Sequence, residues 1–162
     1  MEKVEVAVKK VLVDHLERSP LLLLQGKGSP KKTLPLWIGE GEATAIFLTL
    51  RDIQVSRPLA YDVMKNLLEK TDRKLERVMI DDLQGGSYHA KLTIGLAGDG
   101  IKDSPVGGDG IVSKTGEIQL DARPSDAVAL ALKLQSPIFV SEEILQNKGL
   151  DLFFDANEDE DG

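Results

Sequence analysis

Apolar and polar residues alternate at the start of the chain. Val4, Val6 and Val8 are spaced by two, and Val11 and Val13 resume the alternation after Lys9-Lys10. This pattern predicts a strand with a bulge at the lysine pair. Leu21 to Leu24 is a short, wholly apolar strand, predicted to pair with the first across a turn at Glu17-Arg18-Ser19-Pro20. Gly26 to Thr33 reads as a polar loop and Leu34 to Ile38 as a third strand. The period then changes. Ala43, Ile46, Phe47 and Leu50 recur at i, i+3, i+4 and i+7, predicting a helix that starts at Gly39 with these four on its inner face. Ser56-Arg57-Pro58 breaks it, and a second helix should bury Leu59, Val63, Leu67 and Leu68. Strand spacing returns at Val78 and Ile80. A Gln84-Gly85-Gly86-Ser87 hairpin turn and a long alternating strand from Tyr88 to Leu96 come next. A glycine- and aspartate-rich loop covers Gly98 to Gly116. The remaining elements are a strand to Ala122, a helix to about Leu134, a short strand at Ile138-Phe139-Val140, and a helix capped by Ser141.

The most organised polar segment is Leu120-Asp121-Ala122-Arg123-Pro124-Ser125-Asp126-Ala127, where a strand gives way to a helix. A rigid junction of this kind suits a binding or catalytic site. It aligns, 84 residues apart, with Leu36-Trp37-Ile38-Gly39-Glu40-Gly41-Glu42-Ala43. Both are strand–junction–helix units with an acid, Asp126 or Glu42, at the helix start. Duplication of one unit and chance likeness between two amphipathic segments both account for this.

Composition narrows the chemistry. With 162 residues, 41% of them apolar, the chain suits one globular domain over residues 1–150. There is no cysteine, which removes disulfides and thiol chemistry and accords with a cytoplasmic setting. The N-terminus lacks the apolar stretch of a signal peptide, and no apolar run nears the roughly 20 residues that span a bilayer. The net charge of −7 is concentrated in an acidic tail, residues 151–162, expected to be disordered; the rest is close to neutral and has no basic stripe.

The ordered set Leu34-Pro35-Leu36-Trp37-Ile38-Gly39 with Glu42-Ala43, Arg57-Pro58-Leu59 with Asp62, Tyr88-His89-Ala90-Lys91-Leu92, and Asp121 to Ala127 leading to Pro137-Ile138-Phe139-Val140 resembles the bifunctional nuclease domain family of bacteria and plants. The resemblance spans about Val4 to Leu145. It implies an α+β fold, a strongly curved mixed sheet with packed helices, often in a homodimer. It also implies DNase and RNase activity of low sequence specificity on nucleic acid. The family often carries Thr-His-Asp after the Arg-Pro pair; here the triplet is Ala60-Tyr61-Asp62, which keeps the acid and lacks the histidine.

Phosphodiester hydrolysis needs a positioned water and charge neutralisation at the phosphoryl oxygens. Acidic nucleases meet these needs with Mg²⁺ or Mn²⁺ on carboxylates. Asp121, Asp126, Glu42 and Asp62 form the candidate metal set, converging in one cleft between the two junctions. Asp121, Arg123, Ser125 and Asp126 are the candidate catalytic residues, and Arg123 and Arg57 the candidate phosphate contacts. Each also has a structural reading. Ser125 suits a helix N-cap, Asp126, Glu42 and Asp62 suit first helical turns, and Asp121 with Arg123 at i, i+2 suits a strand ion pair. If the structural readings hold throughout, the chain is a non-catalytic interaction or regulatory module rather than an enzyme.

Overall fold

The computed structural model describes residues 2–13, 19–28, 31–97 and 116–152. Most of the predicted glycine-rich loop, the turn residues 17 and 18 and the tail beyond Leu152 lie outside these ranges. The first three strands, β1 (Lys3–Val13), β2 (Pro20–Gly26) and β3 (Thr33–Trp37), form an antiparallel meander. The helices α1 (Glu40–Leu50) and α2 (Ala60–Lys70) follow. A second antiparallel meander comprises β4 (Arg73–Gln84), β5 (Ser87–Leu96) and β6 (Ile118–Ala122), and leads into α3 (Pro124–Leu134). The strand β7 (Ile138–Ser141) and the helix α4 (Glu142–Lys148) close the described chain.

All seven strands belong to one open mixed sheet in the order β3-β2-β1-β7-β4-β5-β6. The strand β7 joins the two meanders, antiparallel to β1 and parallel to β4. Each meander thus runs outward from the centre to an edge strand, and each edge strand feeds a helix. The fold repeats the strand–junction–helix unit at both ends of the sheet, as the internal sequence similarity suggested.

Local chemistry accounts for the strands. The register between β1 and β2 slips between Val8 and Lys10, so the lysine pair is the bulge. Gly85 and Gly86 take φ of 56° and 83°, the left-handed pair that a two-residue hairpin turn requires. Alternate strand residues, among them Leu22, Leu24, Val78, Ile80, Ala90 and Leu92, face a layer that contains Ile46, Ala127, Val128 and Ala131. Ser141 caps α4 as expected, its Oγ accepting from the Ile144 amide at 3.2 Å. No helix among the described residues is long and apolar enough to cross a membrane.

The two middle helices are rotated from their predicted faces. In α1 the buried residues are Ala43, Ala45 and Ile46, whereas Phe47 and Leu50 are exposed. In α2 no residue is fully buried. Leu59, Val63 and Leu67 point outward, and the side turned inward carries Tyr61, Asp62, Lys65 and Leu68. The cause lies in α3. Tyr61 and Asp62 find hydrogen-bonding partners there, and these polar contacts fix the rotation of α2 in place of its apolar stripe.

Neighbouring positions on α1 test this orientation. Ile46→Ala should lower unfolding free energy by about 2–5 kcal/mol in urea titrations, since it opens a cavity under α1. Phe47→Ala should cost markedly less, although Phe is the larger side chain.

Candidate functional site

Three acids occupy the same place on three helices. Glu42, Asp62 and Asp126 are each the third residue of α1, α2 and α3, after the N-cap residues Gly39, Leu59 and Arg123. The N-terminal turn has free amides and a partial positive charge, so an acid is stabilised there. Only Asp62 uses its position for capping. Its Oδ2 accepts from the Leu59 amide at 2.9 Å, and its Oδ1 receives the Lys133 ammonium at 2.7 Å.

Glu42 and Asp126 instead share one guanidinium. Arg123 donates from Nε to Asp126 Oδ2 at 2.8 Å and places a terminal nitrogen 3.2 Å from Glu42 Oε1. Ser125 Oγ donates to the same Glu42 oxygen at 3.2 Å. The Tyr61 hydroxyl donates to Asp126 Oδ1 at 2.6 Å. Glu42 is largely enclosed, with 13% of its side chain exposed, while Arg123 leaves 70% of its own in solvent. The site is therefore a guarded pair of carboxylates beneath an accessible cation.

Electrostatics follow from these contacts. Burial pushes the Asp126 carboxyl up, but hydrogen bonds from Arg123 and Tyr61 outweigh it and hold the group below the usual carboxylate range. Burial and the bond to Asp126 push the Tyr61 phenol up, so it stays a donor. The Lys133 bond, aided by the Leu59 amide, holds Asp62 below the usual carboxylate range.

Glycine is needed at one junction. A Cβ on Gly39 would lie 2.5 Å from Glu42 Oε2, because the Glu42 side chain folds back over the residue that precedes its helix. Any side chain at this position displaces Glu42 from Arg123 and Ser125.

The structure brings together Glu42, Arg123, Ser125 and Asp126 among the predicted residues. The other three lie elsewhere. Asp121 is opposite Lys91 in the β5–β6 register, so it shares that residue's sheet face, where Lys91 is ion-paired with Asp81. The neighbouring pair Ala90 and Ala122 turns to the helix layer. The expected Asp121–Arg123 strand pair is absent because Arg123 has left the strand and turned to α1 and α3. Arg57 is exposed in the linker between α1 and α2. Asp62 is consumed by Lys133 and its cap. Ser125 is not the N-cap: Arg123 holds that position, Pro124 begins the helix, and Ser125 is buried against Glu42.

The four acids consequently do not converge. Among the described residues no three His, Asp or Glu side chains are grouped closely enough to hold a metal. The smaller set, Glu42 and Asp126, offers hard oxygen donors that suit Mg²⁺ or Mn²⁺ when substrate oxygens and water complete the shell. Tyr61 and Lys133 were not among the predicted site residues. The signal for Tyr61 was its place one residue before Asp62, at the position where the family often has histidine.

The bifunctional nuclease domain family matches residues 22–152. An uncharacterised protein of Mycobacterium tuberculosis is 35% identical over 146 residues, covering 90% of this chain and 76% of that protein. A protein named bifunctional nuclease 1 from Oryza sativa subsp. japonica is 27% identical over 72% of this chain. Bifunctional nuclease 2 of Arabidopsis thaliana is 24% identical over the same share. In each of these two plant proteins the matched region is 31% of the full length.

Two outcomes follow from the geometry. Asp62 and Asp126 have folded-state pKa values below their unfolded ones, so they add stability above the unfolded carboxylate pKa of about 4. That contribution is lost as pH falls through and below this range. Thermal melts from pH 7 to pH 3 should therefore fall steeply in wild type and less steeply in Asp62→Asn; parallel curves would contradict the assignment. Gly39→Ala should destabilise wild type yet be neutral or mildly stabilising in a Glu42→Ala background. The double-mutant cycle should give a coupling of about 0.5–3 kcal/mol in denaturant titrations.

Proposed function

The chain belongs to the bifunctional nuclease domain family, and on that premise we propose that it hydrolyses phosphodiester bonds in DNA and RNA at the Glu42–Arg123–Asp126 cluster. The observation that carries this reading is the Arg123 guanidinium, anchored by two carboxylates yet largely exposed beside the first turn of α3. A guanidinium has five donors in a planar fork matched to phosphate oxygens, and a helix N-terminus favours the same anion. Arg123 binds a non-bridging oxygen and neutralises charge as the phosphoryl group reacts. Asp126 keeps lone pairs beyond those used by Tyr61 and Arg123, and these accept a proton from an attacking water. Ser125 fixes the Glu42 carboxylate. A divalent ion held by Glu42 and Asp126 would supply further charge neutralisation. Groups that engage phosphate rather than base edges carry no sequence information, which supports low specificity.

A second reading has one observation in its favour. Arg123 and its two acids already satisfy one another, as a structural clamp between α1 and α3 would. In that case the domain is an interaction module.

Cleavage of single-stranded DNA and RNA by highly purified protein, with Mg²⁺, Mn²⁺ or EDTA, separates the two. Arg123→Ala and Asp126→Asn should each lower the rate by about 10²–10³-fold with folding confirmed by circular dichroism. Equal rates in all three proteins would move the chemistry elsewhere; no cleavage by wild type, with both variants less stable, would favour the clamp.

A further inference from the structure

We infer that the outward face of α2, with the linker before it, is the surface on which a second copy of this chain docks. Ile53, Val55, Leu59, Val63, Met64 and Leu67 are between 39% and 63% exposed, although all are large and apolar. They are not scattered. Leu59, Val63 and Leu67 recur every four residues on one side of α2, and Met64 flanks them. Ile53, Val55 and Leu59 border one shallow hollow between α1 and α2. At about 80 Å² for each half-exposed aliphatic side chain, the patch is on the order of 500 Å².

Three observations favour a second copy over other occupants. The first is size. A standard protein interface takes about 800 Å² from each partner and is about 60% apolar, which requires about 500 Å² of apolar surface per copy. The second is pattern. A stripe spaced by four residues is the seam of a helix pair, and it is nearly symmetric about the middle of α2. An antiparallel α2–α2 pairing across a two-fold axis sets Val63 of each copy against Leu67 of the other, a self-complementary contact. The third is the helix itself. The helix α2 has no fully buried residue in the monomer, and its inner contacts to α3 are the Tyr61–Asp126 and Asp62–Lys133 pairs with Leu68 at the edge of the core. A helix with its more apolar side in water is incompletely packed until that side is covered.

The pairing does not depend on the nuclease reading. It does act on the same cluster, because covering α2 presses Tyr61 onto Asp126.

Sedimentation velocity from about 1 to 100 µM tests the surface, with Val63→Asp and Leu67→Asp beside wild type. Both substitutions fall on exposed positions, so circular dichroism should show native folding. Wild type should sediment at twice the 17.7 kDa chain mass and both variants at the chain mass. Hydrogen exchange should be faster in α2 of the variants and unchanged in the central strands. A wild-type monomer across this range would overturn the proposal, as would a dimer unaffected by both substitutions. A monomer that co-floats with anionic phospholipid vesicles would assign the face to a lipid surface instead.

Discussion

The helix α3 is enclosed on almost every side, and the arrangement of the other helices depends on that burial. Ser125, Ala127, Val128, Ala129, Leu130 and Ala131 are all buried, so the helix has no single apolar stripe. The sheet lies beneath it, and α1 and α2 each pack against it. Its alanines are short, which lets neighbouring helices approach closely. A helix hydrophobic all round must sit in the interior. Asp126 interrupts the buried run, and a carboxylate in such a place needs partners. It has them from its own helix start, through Arg123, and from α2, through Tyr61; α1 joins through Glu42 on the same guanidinium.

The repeated architecture explains why this meeting point exists. Each edge strand delivers a helix over the same face of the sheet, and each helix brings an acid in its first turn. The two copies have diverged at the residue before the helix. One copy has Gly39, which makes room for a folded-back glutamate; the other has Arg123, which fills the space between the acids. Emptiness in one unit and a cation in the other make a pair that neither provides alone.

Strands and turns were legible in the sequence because their determinants are local. Alternating valines, the Gly85-Gly86 turn and the slip at the lysine pair each depend on a few adjacent residues. The core acid–arginine group was also legible in outline, since Glu42, Arg123, Ser125 and Asp126 were singled out together. Rotation of the helices was not. Periodicity finds the apolar side of α2 but cannot say that polar contacts from Tyr61 and Asp62 determine which side faces α3. Asp121 and Arg123 looked like partners at i, i+2, a spacing that assumes the strand continues; the chain turns at Ala122 and separates them. Lys133 was invisible for a different reason: nothing near it in sequence marks it as the partner of an acid 71 positions earlier.

The stretch after α4 has a role at the opposite margin of the sheet. Leu150 exchanges backbone hydrogen bonds with Thr33, at 2.8 and 2.9 Å, and the Leu152 carbonyl accepts from the Thr33 hydroxyl. Asp151 adds an ion pair to Lys32. The start of β3 thus has its open amide and carbonyl groups occupied by the chain's own backbone, where a foreign strand would otherwise add. The other margin, β6, is guarded by Gln119 and Asp121 alone along its exposed side. The two ends of one sheet therefore resist aggregation by different physics, one by pairing that salt hardly affects and the other by a charge that salt screens.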